Sequence, residues 1–79
     1  MQPDLPVRRY VGLKQSTEAV EEGLVKKAYI ALDADEHVRL PFEALCREKN
    51  VPIEFAPTKA KLGKSCGINV PAAVAVELI

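Results

Sequence analysis

An α/β fold of four strands and three helices is what this sequence predicts, and three observations carry the prediction. Ala28 to Leu32 is an apolar run too short for a helix, and Val51 to Phe55 reads as a second such strand-length segment. Between them Val38, Phe42, Leu45 and Cys46 recur at helical spacing, with Arg39, Glu43, Arg47 and Glu48 off that stripe. Glycine, proline or acidic residues stand at the junctions. The resulting order, β-α-β-α-β-α-β, places three helices over a four-stranded mixed sheet and covers both of its faces, a three-layer α-β-α sandwich. The crossover through the second helix is expected to be right-handed, with its two strands parallel.

Met1 to Pro6, with two prolines and an aspartate, shows no period and reads as a loose lead-in. Arg8 to Val11 reads as the first strand, broken by Gly12. Ser16 to Glu22 reads as a short helix with Ala19, Val20 and Leu24 at helical spacing, and Gly23 closes it in left-handed backbone. Ala28 to Leu32 reads as a buried strand that the acidic cluster Asp33, Asp35 and Glu36 ends. A proline fits only the first turn of a helix, so Pro41 sets the start of the second helix near Leu40 or slightly earlier. That helix runs to Lys49, with Asn50 as its cap. Val51 to Phe55 is the third strand, Thr58 caps a third helix after Pro57, and Ala72 to Ile79 is the last strand, its place at the edge or centre left open.

A chain of 79 residues that is 48% apolar and 28% charged has the composition of one folded domain, residues 1–79. Its net charge is zero, so any case for an anionic partner rests on where the charges sit. They are segregated. Lys59, Lys61 and Lys64 lie in a stretch from Pro57 to Val76 that contains no acid, and Arg8, Arg9 and Lys14 form a second acid-free group between Leu5 and Thr17. The first and third helices each begin after a strand and are expected at one edge of the sheet, where open α/β sheets bind ligands. Charge alone is equally consistent with solvated lysines.

Cys46 and Cys66 lack the spacing of a redox or zinc pair, and with a single His37 they form a poor ligand set; they read as structural thiols of a reducing compartment. Val70 to Val76, the longest apolar stretch, is far below the roughly 20 residues that span a bilayer, and the expected location is the cytoplasm. Gly63-Lys64-Ser65 looks like the end of a phosphate-binding loop, but the glycine required five residues earlier is Thr58, and the segment ends a helix where the motif must begin one. His37 has no nucleophile partner. No catalytic constellation, cofactor or metal is expected.

Two segments remain. Gly12-Leu13-Lys14-Gln15, followed by Glu18-Ala19-Val20 and Gly23, is a glycine-led strand-to-helix junction. Leu62-Gly63-Lys64-Ser65-Cys66-Gly67-Ile68-Asn69-Val70-Pro71-Ala72-Ala73 is the other. From Tyr10 onward the chain resembles the kink-turn-binding ribosomal proteins: the seven-Ae and thirty-e proteins of the archaeal and eukaryotic large subunit and their short bacterial relatives of the YbxF type. The resemblance implies a protein that grips a kink-turn, an RNA bend built on tandem sheared G·A pairs. Under it, Lys14 and Gln15 face guanine edges, and Gly12 and Leu13 bring backbone close to the RNA. Lys64 meets phosphate, and Cys66, Gly67, Ile68, Asn69 and Val70 form a loop that packs on an extruded nucleotide. Many members carry threonine in place of Leu13 and lysine in place of Glu18.

The partner so implied is structured RNA, ribosomal or riboswitch, with ribosome association left open and no DNA or membrane expected. Two other classes stay open: a protein–protein adaptor of the same fold, which Glu18 keeps in play, and a small-molecule or nucleotide binder at Gly63-Lys64-Ser65.

Overall fold

The computed structural model describes residues 9–79; the lead-in and Arg8 lie outside them. The elements run β1 (Arg9–Val11), α1 (Leu13–Glu21), β2 (Val25–Ala31), α2 (Glu36–Glu48), β3 (Ile53–Ala56), α3 (Lys59–Ser65) and β4 (Val74–Leu78). The strand order is β1-β4-β2-β3. β4 is antiparallel to both neighbours and β2 is parallel to β3, so β1, β2 and β3 point the same way and finish at one edge. The last strand is therefore central.

The pleat separates two cores. Ala28, Ile30, Val74 and Val76 face α1 and α2, where Val20, Phe42 and Cys46 complete the larger cluster. Ala31 and Ala75 face the other way and pack with Leu62 of α3, Ala34 and Ala72. These short side chains let α3 sit close to the sheet. Helices on both faces give the three-layer sandwich.

Several boundaries differ from the sequence reading, each for a local reason. α1 begins at Leu13 rather than Ser16, because Gly12 at φ 109° and ψ 154° turns the chain directly from strand into helix. Leu24 lies beyond the last turn and is 47% exposed, so the inner face of α1 is Ser16, Ala19 and Val20. α2 begins at Glu36, well before Pro41, because Asp35 caps it: its Oδ1 accepts a hydrogen bond from the His37 N–H at 2.7 Å. The acidic cluster both follows the end of β2 and supplies the start of α2, with Asp35 as cap and Glu36 in the first turn. Pro41 lies inside the helix, where its missing N–H would have met the His37 carbonyl, and both residues are exposed. β2 starts earlier, at Val25, because its ladder with β4 extends to Leu78 across an irregularity between Val25 and Lys27. β3 and β4 are displaced or trimmed by a residue or two.

All three helices end in the same way. The residues after the caps, Gly23, Asn50 and Gly67, adopt φ of 74°, 60° and 82°. In each case two N–H groups fold back onto carbonyls of the last turn, as in Val51 N–H to the Cys46 oxygen at 2.8 Å.

Candidate nucleic-acid interface

The common edge where β1, β2 and β3 finish gathers both segments singled out by the sequence. Gly12 closes β1 there, its N–H donating to the Val74 oxygen at 3.0 Å, which joins the first segment to the strand that leaves the second. No side chain caps α1 at Gly12. The N–H groups of the first turn are thus available to an anion, with the positive end of the helix dipole behind them. Burying Ser16, Ala19 and Val20 turns Leu13, Lys14, Gln15 and Glu18 outward, and all four are exposed. Glu18 stands one turn from Lys14, and no ion pair joins them.

The second segment is stitched to the same edge. Thr58 caps α3, its Oγ1 accepting from the Lys61 N–H at 3.0 Å, as the sequence predicts. Asp33, just past β2, accepts from the Lys59 N–H at 2.7 Å and ties the β2–α2 connection to the start of α3. Ala72 N–H closes the far side of the loop on the Lys59 oxygen at 3.0 Å. Between these ties, Ala60, Lys64, Ile68, Asn69, Val70 and Pro71 surround a shallow depression of about 300 Å³.

The loop residues divide by burial. Cys66 and Ile68 pack against the small cluster under α3, whereas Val70 is 59% exposed and offers the open aliphatic surface. Leu32, 56% exposed immediately after β2, adds a second one on this edge. The apolar run extends the buried strand to Leu32, but the residue stands outside it, directly before Asp33-Ala34-Asp35. The Asp33 tie spans 26 residues and has no local sequence signal. Gly63 lies inside α3, buried, and not in a loop between strand and helix.

Neither thiol is bonded. Cys46 is fully enclosed, and burial, with the charge of Glu43 adding to it, pushes its thiol up to about 11. His37 is exposed in the first turn of α2. Among the described residues no three His, Cys, Asp or Glu side chains converge as a metal site, and no helix is long and apolar enough to cross a membrane. The elements that begin or end at this edge carry the α1 helix-start N–H groups with Leu13, Lys14 and Gln15, Leu32 after β2, and Lys64 and Val70 about the α3 depression. That set suits phosphates, base edges and unstacked bases.

Comparison with known proteins shows the family of the chain. The chain is 42% identical over 79 residues to an RNA-binding protein of Caldanaerobacter subterraneus subsp. tengcongensis, covering all of this chain and 96% of that one. It is 41% identical over 63 residues to an RNA-binding protein of Halalkalibacterium halodurans, covering 80% and 77% of the two chains. Among solved structures, the Giardia lamblia 15.5kD RNA binding protein superposes with a TM-score of 0.82 at 30% identity, over 90% of this chain and 60% of that one. A Bacillus halodurans protein of unknown function shares the fold, with a TM-score of 0.81 at 21% identity over 90% of this chain and 71% of that one. The profile of the ribosomal protein L7Ae/L30e/S12e/Gadd45 family matches residues 8–78, nearly the whole chain, and the protein belongs to that family.

Proposed function

We propose that the protein binds structured RNA without catalysis, and that its preferred target is a kink-turn of a ribosomal or riboswitch RNA in the cytoplasm. The observation that carries this reading is the glycine-led, uncapped start of α1, which presents Lys14 and Gln15 on the edge that also holds Lys64 and the Val70 loop. A lysine donates to guanine O6 and N7, a glutamine amide both donates and accepts, and free helix-start N–H groups favour phosphate. Gly12 adds no Cβ to hold the RNA away; a Cβ there would meet nothing of the protein within 4 Å. The open side of Val70 suits one extruded base. The names of three of the four relatives, RNA-binding proteins all, support the coarser part of the reading.

The test is a calorimetric or gel-shift titration with a kink-turn RNA, beside a control in which its G·A pairs are replaced by Watson–Crick pairs. Tight binding to the first and a loss of tenfold or more in the second is the expected result. Equal binding to both, with a steep salt dependence, would reduce the interaction to phosphate attraction and remove the kink-turn from the proposal.

A further inference from the structure

α3 has only seven residues and covers only the part of its sheet face around Ala31 and Ala75. Beside it the face opens into a cleft of about 380 Å³, bounded by Tyr29 and Ala56 of the sheet, Pro57, Lys61 and Leu62 of the third-helix segment, and Arg9 of the edge strand. The volume falls in the lower part of the roughly 300–1,000 Å³ typical of small-ligand sites.

The walls of this cleft are held in place. Tyr29 donates its hydroxyl to Glu77 Oε1 at 2.9 Å, and its phenol stands above the ordinary range through burial first, then through that hydrogen bond and the Glu77 charge. The Arg9 guanidinium and the Lys27 ammonium lie 5.9 and 5.6 Å from the centre of its ring. Arg9 also donates from Nη1 to the Ser65 oxygen at 2.8 Å, bridging the edge strand to α3. Glu54, the carboxylate on the rim, is engaged by Lys27. Among the described residues Lys61 forms no ion pair, and Arg9 has guanidinium N–H groups beyond the one given to Ser65. A cleft whose walls combine apolar side chains and an aromatic ring with two cations fits a flat ring that carries an anionic group.

We infer that this cleft is a single-nucleotide site, taking a base against Tyr29 and Pro57 with its phosphate at Arg9 and Lys61. The nucleotide arrives either free or as an unpaired residue flanking an RNA held at the neighbouring edge. α3 separates the two: Lys64 borders the depression at the edge, and Lys61 and Ser65, one turn apart, border the cleft. The strand-borne form rests on the RNA reading above, and the free form does not.

Two measurements test the site. In the first, amide and tyrosine-ring NMR shifts are followed as adenosine or guanosine monophosphate is added, with adenosine or guanosine as the control lacking phosphate. Saturable shifts at Tyr29, Lys61 and Ser65 are expected, weakened for the nucleosides and abolished in an Arg9→Gln/Lys61→Gln double variant. In the second, affinity is compared for a blunt kink-turn RNA and for the same RNA with a single-stranded tail on either stem. A gain of about tenfold from one tail, lost in the double variant, assigns the cleft to the bound strand. Nucleotide shifts without any tail gain assign it to a free nucleotide. No shifts and no tail gain, or effects that persist in the double variant, overturn the site. Failure of the blunt RNA to bind while the shifts persist would count against the kink-turn reading and leave the cleft standing.

Discussion

The carbonyl group of Val70 occupies the space that a side chain on Gly63 would need. A Cβ built on Gly63 would overlap the Val70 oxygen and stand 3.1 Å from the Val70 carbonyl carbon and 3.4 Å from Pro71 Cα. The obstacle is backbone, which cannot swing aside as a flexible side chain would. The glycine in the Leu62-Gly63-Lys64 run is therefore the seat on which the loop closes over α3, and its likeness to a phosphate-binding loop has no counterpart in the geometry.

Gly63→Ala is expected to cost about 1–3 kcal/mol of stability, as overpacking does, or to push the loop off α3. Thermal unfolding should show a lowered midpoint, and an RNA titration should show weakened binding even where the variant remains folded. An unchanged midpoint together with unchanged affinity would contradict the packing described.

Glu18 is exposed on the same face of α1 as Lys14, one turn further along, so its carboxylate faces whatever approaches Lys14. Replacing Glu18 with Lys removes repulsion and adds a cation, worth about 1–3 kcal/mol at a favourable contact. RNA affinity at fixed low salt is expected to rise, with a steeper dependence on salt. A titration that shows no change would place Glu18 away from the RNA and favour a docking role for this face.

The two thiols differ in access. Cys46 is enclosed and its thiol is pushed up to about 11, so at pH 8 only about one in a thousand is thiolate in the folded protein. That fraction rises with pH, but burial still bars the reagent. Iodoacetamide at pH 8, followed by peptide mass spectrometry, is expected to modify the partly exposed Cys66 and spare Cys46 until the protein unfolds. Bound RNA that covers Cys66 should slow its reaction, and equal rates with and without RNA would remove Cys66 from the interface.

The Ser16 hydroxyl is fully buried on the inner face of α1 and has no hydrogen-bond partner among the described residues. An unpaired buried hydroxyl costs stability, and alanine is the better helix former. Ser16→Ala is expected to raise stability by about 1 kcal/mol in denaturant unfolding and to leave RNA affinity unchanged, since the side chain does not reach the surface. A destabilised variant would show that the hydroxyl has a partner after all.

Much of this protein was legible from short-range pattern. The 3.6-residue stripe through Val38, Phe42, Leu45 and Cys46 specified α2, and Phe42 and Cys46 are its buried residues. Thr58 announced its own role because a cap is a contact within one turn. Gly12, Lys14, Gln15 and Lys64 were marked by residue type and local charge. The start of α2 was misplaced because the Pro41 rule ignores a capping aspartate several residues upstream and a solvated helix face. The start of α1 was misplaced because Gly12 takes its conformation while paired to Val74, a partner far along the chain.

By itself the sequence determined the order of the elements, the apolar faces they bury and the chemical types available for binding. These depend on contacts between residues a few positions apart. Only the tertiary structure decided that β4 runs in the middle of the sheet, that Asp33 ties to Lys59, that Val70 rather than Ile68 shows its side chain to solvent, and that the short α3 leaves a cleft beside Tyr29. Each of these is a pairing across many residues. It is selected by which arrangement buries both faces of one sheet at once, a property of the whole chain that no local window contains.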